Sequence, residues 1–261
     1  MVAIVGPVHR GIPRHNVRNP LSLGFQEFSV LPGVQALIFD VFGTLVDWRR
    51  SIARQAQAAL EPLGVQTDWL AFADAWRGEY QGAMEAVRSG RLPFCRLDEL
   101  HRRNLDLVLE RMGGPASQAP EALRQSLNLA WHRLDAWPDV GAALAQWRSR
   151  FVLAPCSNGN ISLMVDLARH NGWHWDAILG AEVAGDYKPK PVVYERACAS
   201  LGLAPSAVMM VAAHSDDLAA AARCGLRTGF VARVQEYGGL RVEAQPSVPV
   251  DFVFVNGRLQ A

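Results

Sequence analysis

Cysteine is scarce in this 261-residue chain. The four present, Cys95, Cys156, Cys198 and Cys224, form no CxxC pair and no metal-ligand rhythm. They read as buried thiols of a reducing compartment, which sets aside a disulfide framework and a zinc ribbon. Excess charge is lacking too: 26 Lys and Arg face 25 Asp and Glu, and the arginines gather into no basic tract. Neither nucleic acid nor an acidic membrane surface is therefore an expected partner. No apolar run is long enough to span a bilayer. The opening "MVAIVGPVHRGIPRHNVRNPLSLG" places Pro, Gly and His where a signal peptide needs an unbroken apolar region. Residues 1–30 are expected to be an extension, disordered or loosely docked, and the expected location is cytoplasmic. Internal repeats and low-complexity segments are lacking as well.

What is present is ordinary for a globular chain, 50% hydrophobic and 20% charged. The length suits one large α/β domain, or a core domain carrying a smaller insert. "VQALIFDVF", residues 34–42, is too short and too rich in strand formers for a helix. Helical spacing then fills residues 48–134. One stretch is "DWLAFADAWRGEYQGAMEAVRSG", starting at the N-cap candidate Asp68 and running to Gly90 as a single helix; another is "PEALRQSLNLAWHRL". After residue 135 short strands alternate with helices: "FVLAPCSN", "AILGAEV", "AVMMVAAH", "RTGFVAR" and "DFVFVN". This rhythm predicts a parallel sheet covered on both faces, with ligands beyond the carboxyl ends of the strands.

Reactive groups follow four of those strand ends: Asp40 and Thr44, Ser157 and Asn158, Lys188, and His214 with Asp217. Each has a plain alternative. "SNG" can be a turn with a helix cap, "DYKPKP" a solvated loop opening a helix, and Asp217 a first-turn acid favoured by the helix dipole. Their order at successive strand ends is what argues for a site.

With "DVFGT" at 40–44, "SNG" at 157–159, "YKPKPVVY" at 187–194 and "VAAHSDD" at 211–217, the chain resembles the haloacid dehalogenase superfamily from about residue 34 onward. The resemblance implies a Rossmann-like α/β core, residues 31–47 and 135–261, with an inserted all-helical cap domain, residues 48–134. It also implies that Asp40 attacks, that Ser157 and Lys188 hold an anionic group, and that the last motif serves metal or water.

Phosphatases of this superfamily hold magnesium between the first aspartate and an aspartate of the last motif, and use an acid two residues after the nucleophile. Here Phe42 stands at the acid's position and Ala213 at the first metal aspartate, leaving Asp217, with Asp216 expected to point elsewhere on its helix. Both losses argue against phosphoryl transfer. Halide displacement needs neither part, because a halide leaves unprotonated and a small monoanion can be held without a divalent cation.

Within the superfamily the chain is similar to the L-2-haloacid dehalogenase branch, where an aromatic residue at Phe42 is usual. That resemblance implies that Arg77 and Asn158 cradle the halide and that Tyr194 is the branch's tyrosine beyond the lysine; Arg88 and Arg54 compete with Arg77. It further implies a small 2-haloacid substrate, a halide ion, no cofactor, no metal and a homodimer. In the last motif Ala212 and His214 depart from the branch's "SSNxxD", which points to an active-site role for His214 with water, halide or substrate. The expected reaction converts an L-2-haloacid to a D-2-hydroxy acid, or a haloacetate to glycolate, through an aspartyl ester on Asp40, with Asp217 serving the water. The alternative is a magnesium-dependent phosphatase acting on a small phosphate ester.

Overall fold

The computed structural model describes residues 31–255 and 258–260, so the expected extension 1–30 lies outside the described residues. Strand β1 (Ala36–Phe39) is four apolar residues, all buried, as a central strand of a two-sided sheet should be. A helical insert follows: α1 (Trp48–Leu60), α2 (Trp69–Gly78), α3 (Tyr80–Arg88), α4 (Leu97–Met112) and α5 (Glu121–Asn128). The chain then runs through α6 (Val140–Trp147), β2 (Val152–Ser157), α7 (Ile161–Asn171), β3 (Leu179–Gly180), α8 (Pro191–Leu201), β4 (Val208–Ala212) and α9 (Ser215–Arg223). It ends in β5 (Arg227–Val231), β6 (Phe252–Val255) and β7 (Arg258–Gln260).

The sheet order is β3-β2-β1-β4-β5-β6-β7, parallel throughout except for β7, which pairs antiparallel with β6. Phe39 of β1 lies level with Pro155 of β2 and Val211 of β4. The carboxyl ends of the three central strands are thus abreast. Alternation along β1 divides the core: Ala36 and Ile38 join a cluster with residues of α8 and α9, while Phe39 stacks on Trp147 of α6 at 5.8 Å. The inserted helices and the sheet belong to one compact unit, Gly33–Ala261.

Local signals explain several boundaries. Asp68 caps α2, its Oδ1 accepting from the backbone N–H of Leu70 and Ala71. Pro191 opens α8, where its missing N–H costs nothing. Four expectations need correction. The helix expected over 68–90 is broken at Glu79 into α2 and α3, next to Gly78, a poor helix former. The helix expected through residue 134 tightens to 3₁₀ at Leu129–Arg133, and "AILGAEV" forms only a two-residue strand. The cysteines are all free, but Cys95 and Cys224 are only partly buried.

Candidate active site

Asp40 follows β1 directly and opens a tight turn pinned at both carbonyls beyond it. Trp137 Nε1 donates to the Gly43 carbonyl (2.9 Å) and Arg233 Nε to that of Thr44 (2.8 Å). Gly43 has φ of +86°, and a Cβ there would lie 2.1 Å from Glu236 Oε1, so both conformation and space demand glycine. The turn carries Thr44 back so that its hydroxyl donates to Asp40 Oδ2 (2.8 Å) while accepting from the Ala213 N–H (2.9 Å).

Lys188 arrives on the loop before α8. Its Nζ donates to Asp40 Oδ1 (2.9 Å) and also to Asp217 Oδ2, and its backbone N–H donates to Asn158 Oδ1 (2.8 Å). Tyr194 Oη donates to the other Asp217 oxygen. His214 presents Nδ1 to Asp40 Oδ2 (3.2 Å) and Nε2 to Glu236 Oε2 (2.9 Å). Trp48 Nε1 donates to Glu236 Oε1 (3.0 Å).

These contacts set the charges. Burial would raise the Asp40 carboxyl, but Lys188 and His214 outweigh it and hold Asp40 well below the ordinary range. Asp217 shifts upward, chiefly because burial disfavours its charge, and Asp40 adds to the effect. Burial works against a charged His214, yet the bonds to Asp40 and Glu236 prevail and push it up to about 10. Lys188 is raised by Asp217 and Asp40 against its own desolvation.

The inserted helices, with Phe42 from the turn after β1, supply the opposite wall. Phe42, Trp48, Trp76, Tyr80, His101 and Trp131 form a continuous aromatic cluster. The Arg77 guanidinium lies 3.8 Å above the Tyr80 ring centroid, 5.5 Å from Trp48 and 5.6 Å from Phe42. Its Nη1 is buried with no hydrogen-bond partner among the described residues. Of the competing arginines, Arg54 pairs with Asp135, while Arg88 donates to the Lys188 carbonyl (2.9 Å).

A cavity of about 150 Å³ opens between the two sides, bordered by Asp40, Phe42, Arg77, Asn158, Lys188 and His214, with Asp217 at its floor. Thr44, Ser157 and Tyr194 are fully buried and stand behind this wall; the Ser157 hydroxyl accepts from the Gly159 N–H (3.0 Å). Asp216, expected to point away, also borders the cavity. Sequence reading missed Glu236, Tyr80 and Tyr237 on the cavity wall, as well as Trp48 behind Glu236. The only signal for Glu236 was an acid beside an aromatic in "QEYGG", in a segment without periodicity.

Among the described residues no group of three or more His, Cys, Asp or Glu could hold a metal ion. Phe42 and Ala213 offer no side-chain oxygen, and the Lys188 ammonium spans Asp40 and Asp217. This donor set does not fit magnesium, which requires several oxygens in near-octahedral array. Nor is any helix among the described residues long and apolar enough to cross a membrane.

Residues 34–225 match the haloacid dehalogenase-like hydrolase family. The structure is similar to that of the defluorinating L-2-haloacid dehalogenase Rha0230, with a TM-score of 0.82 and 40% identity over 85% of this chain and 93% of that one. It is similar also to the L-2-haloacid dehalogenase PA0810, with a TM-score of 0.80 and 43% identity over 84% and 94%. The (S)-2-haloacid dehalogenase 1 of Pseudomonas sp. (strain CBS-3) is 28% identical over 211 residues, 78% of this chain and 88% of that protein. With the aspartate, lysine and helical insert placed as described, the chain belongs to the haloacid dehalogenase-like hydrolase family, and the three relatives named above are 2-haloacid dehalogenases.

Proposed function

We propose that the protein hydrolyses the carbon–halogen bond of short 2-haloacids through an ester on Asp40, without a metal. The observation that carries this reading is the Asp40 carboxylate held between Lys188 and His214, facing an aromatic wall with the Arg77 guanidinium set in it. A carboxylate kept ionised at a cavity wall is a nucleophile, and Phe42 stands at the position where a phosphatase of this family carries its leaving-group acid.

In this reading Asp40 Oδ1, which takes one side-chain bond where Oδ2 takes two, attacks C2 from behind the halogen. Lys188 and the backbone N–H groups after Asp40 hold the substrate carboxylate, with Ser157 supporting the loop behind them. Such alignment can lower a barrier by about 7 kcal/mol. Arg77 and Asn158 stabilise the departing halide, and the unpartnered Nη1 of Arg77 is a donor suited to that anion. Water then attacks the ester carbonyl, with Asp217 taking its proton. One inversion gives a D-2-hydroxy acid from an L-2-haloacid; a haloacetate gives glycolate. Residues 48–134 work as a cap over a core made of 31–47 and 135–261, in a cytoplasmic homodimer whose mass light scattering would measure.

The test is halide release from L-2-chloropropionate, chloroacetate and fluoroacetate in excess EDTA. Release is expected from wild type and none from Asp40→Asn. A single turnover in heavy-oxygen water should place the label in Asp40. Cleavage of an aryl phosphate only when magnesium is added, with no halide released, would favour the phosphatase reading instead.

A further inference from the structure

The reaction above gives Glu236 no task, yet few carboxylates among the described residues are so enclosed. It is 4% exposed and lies on the segment between β5 and β6. Its two oxygens are taken by His214 Nε2 (2.9 Å) and Trp48 Nε1 (3.0 Å), and Gly43 is bare where any Cβ would strike it. A buried carboxylate is tolerated only with a charged partner and its hydrogen bonds made. His214 is the cation in contact with it. Since the second ring nitrogen of His214 faces Asp40 Oδ2 at 3.2 Å, both nitrogens meet carboxylate oxygens and both must carry protons.

We propose that Glu236 is a positioning residue for ester hydrolysis: with Trp48 it fixes His214 as a two-proton donor, whose Nδ1–H and the Thr44 hydroxyl form the oxyanion hole for Asp40 Oδ2. This rests on the ester reading of Asp40. Once Asp40 is esterified through Oδ1 it has no charge, and His214 loses one of its two counter-ions. Glu236 then keeps the ring protonated while Oδ2 is the ester carbonyl oxygen. Water oxygen bonds to the Asp40 carbonyl carbon, the C=O electron pair moves onto Oδ2, and the water proton passes to Asp217. Collapse restores the C=O bond and breaks the bond from carbon to Oδ1. The hydroxy acid leaves with Oδ1 and takes the proton from Asp217, while the second water proton passes from the new Asp40 carboxyl to solvent and restores the carboxylate. Thr44 is fixed as a donor because its own oxygen already accepts from the Ala213 N–H (2.9 Å).

The experiment is rapid-quench halide release from L-2-chloropropionate, with intact-protein mass spectrometry, on wild type, Glu236→Gln, His214→Asn and the double variant. In Glu236→Gln the first equivalent of halide should leave at the wild-type rate, while turnover falls about a hundredfold or more, on the scale of a lost oxyanion donor, and the ester adduct accumulates. The double variant should turn over as fast as His214→Asn alone, because a neutral amide needs no counter-ion. Unchanged turnover in Glu236→Gln, equal slowing of burst and turnover, or a further loss in the double variant would each overturn the role of Glu236. No halide from wild type would overturn the dehalogenation reading, and this inference with it.

Discussion

Two acids and one ammonium occupy the floor of the cavity, and the balance among them decides what each can do. Lys188 faces both Asp40 and Asp217, so Lys188→Met would leave two buried carboxylates without their shared cation. Halide release should be lost and unfolding made easier by about 3 kcal/mol, the cost of breaking a buried ion pair, measured by urea titration. His214 supplies a pH dependence whose sign is fixed. Its folded value is raised from 6.5 to about 10 by Asp40 and Glu236. The stability it contributes is therefore complete below pH 6.5 and lost as pH rises through about 10. Thermal melting of wild type should fall across that window, and His214→Asn should flatten the fall. Turnover should also fail on the acid side above the ordinary carboxylate range, since Asp217 must be ionised to take a proton and its value is raised.

At the scale of elements, two positions matter beyond their own contacts. Gly43 shapes the turn after β1 and leaves room for Glu236. Gly43→Ala imposes a strained φ and displaces that carboxylate, so it should cost about 1–3 kcal/mol and slow turnover as Glu236→Gln does. Melting and steady-state halide release on the same samples would check both. Asp68 caps the helix that carries Arg77 at its last turn. Asp68→Ala should cost about 1 kcal/mol of unfolding free energy, read by urea denaturation, with the halide burst little changed.

For the whole molecule, the join between the helical insert and the sheet's helices is polar as well as aromatic. His132, after α5, bonds Asp98 at the start of α4 (3.1 Å) and Asp166 on α7 (2.8 Å), while Asn160 reaches Asp98 from the core side (2.9 Å). Burial lowers His132, but the two carboxylates more than offset it and raise its value. His132→Ala should lower stability by about 1–3 kcal/mol, as when hydrogen bonds to charged groups lose a partner. It should also raise KM more than it lowers kcat, because the wall bearing Arg77 is held less firmly. Urea unfolding and halide-release kinetics would measure the two effects.

Much of the site was legible from the sequence because a parallel sheet delivers strand ends to one edge. Asp40, Lys188 and Asp217 could be placed together from order alone, and β1, the Asp68 cap and the Pro191 start of α8 each had a local cause. What order could not reveal was which side chains stand at the cavity and which behind it. Thr44, Ser157 and Tyr194 are fully buried, and Asp216 borders the cavity. Nor could it reveal Glu236, whose partners are His214, 22 residues away, and Trp48, 188 residues away. That meeting depends on a loop without periodicity folding over β5 and on an indole delivered by the inserted helices. Local propensity and hydrophobic period determine elements and their ends. The hydrogen-bonded chain from Trp48 through Glu236 and His214 to Asp40 exists only because tertiary packing buries these groups together, where an unpaired Glu236, His214 or Asp40 charge would be too costly to leave alone.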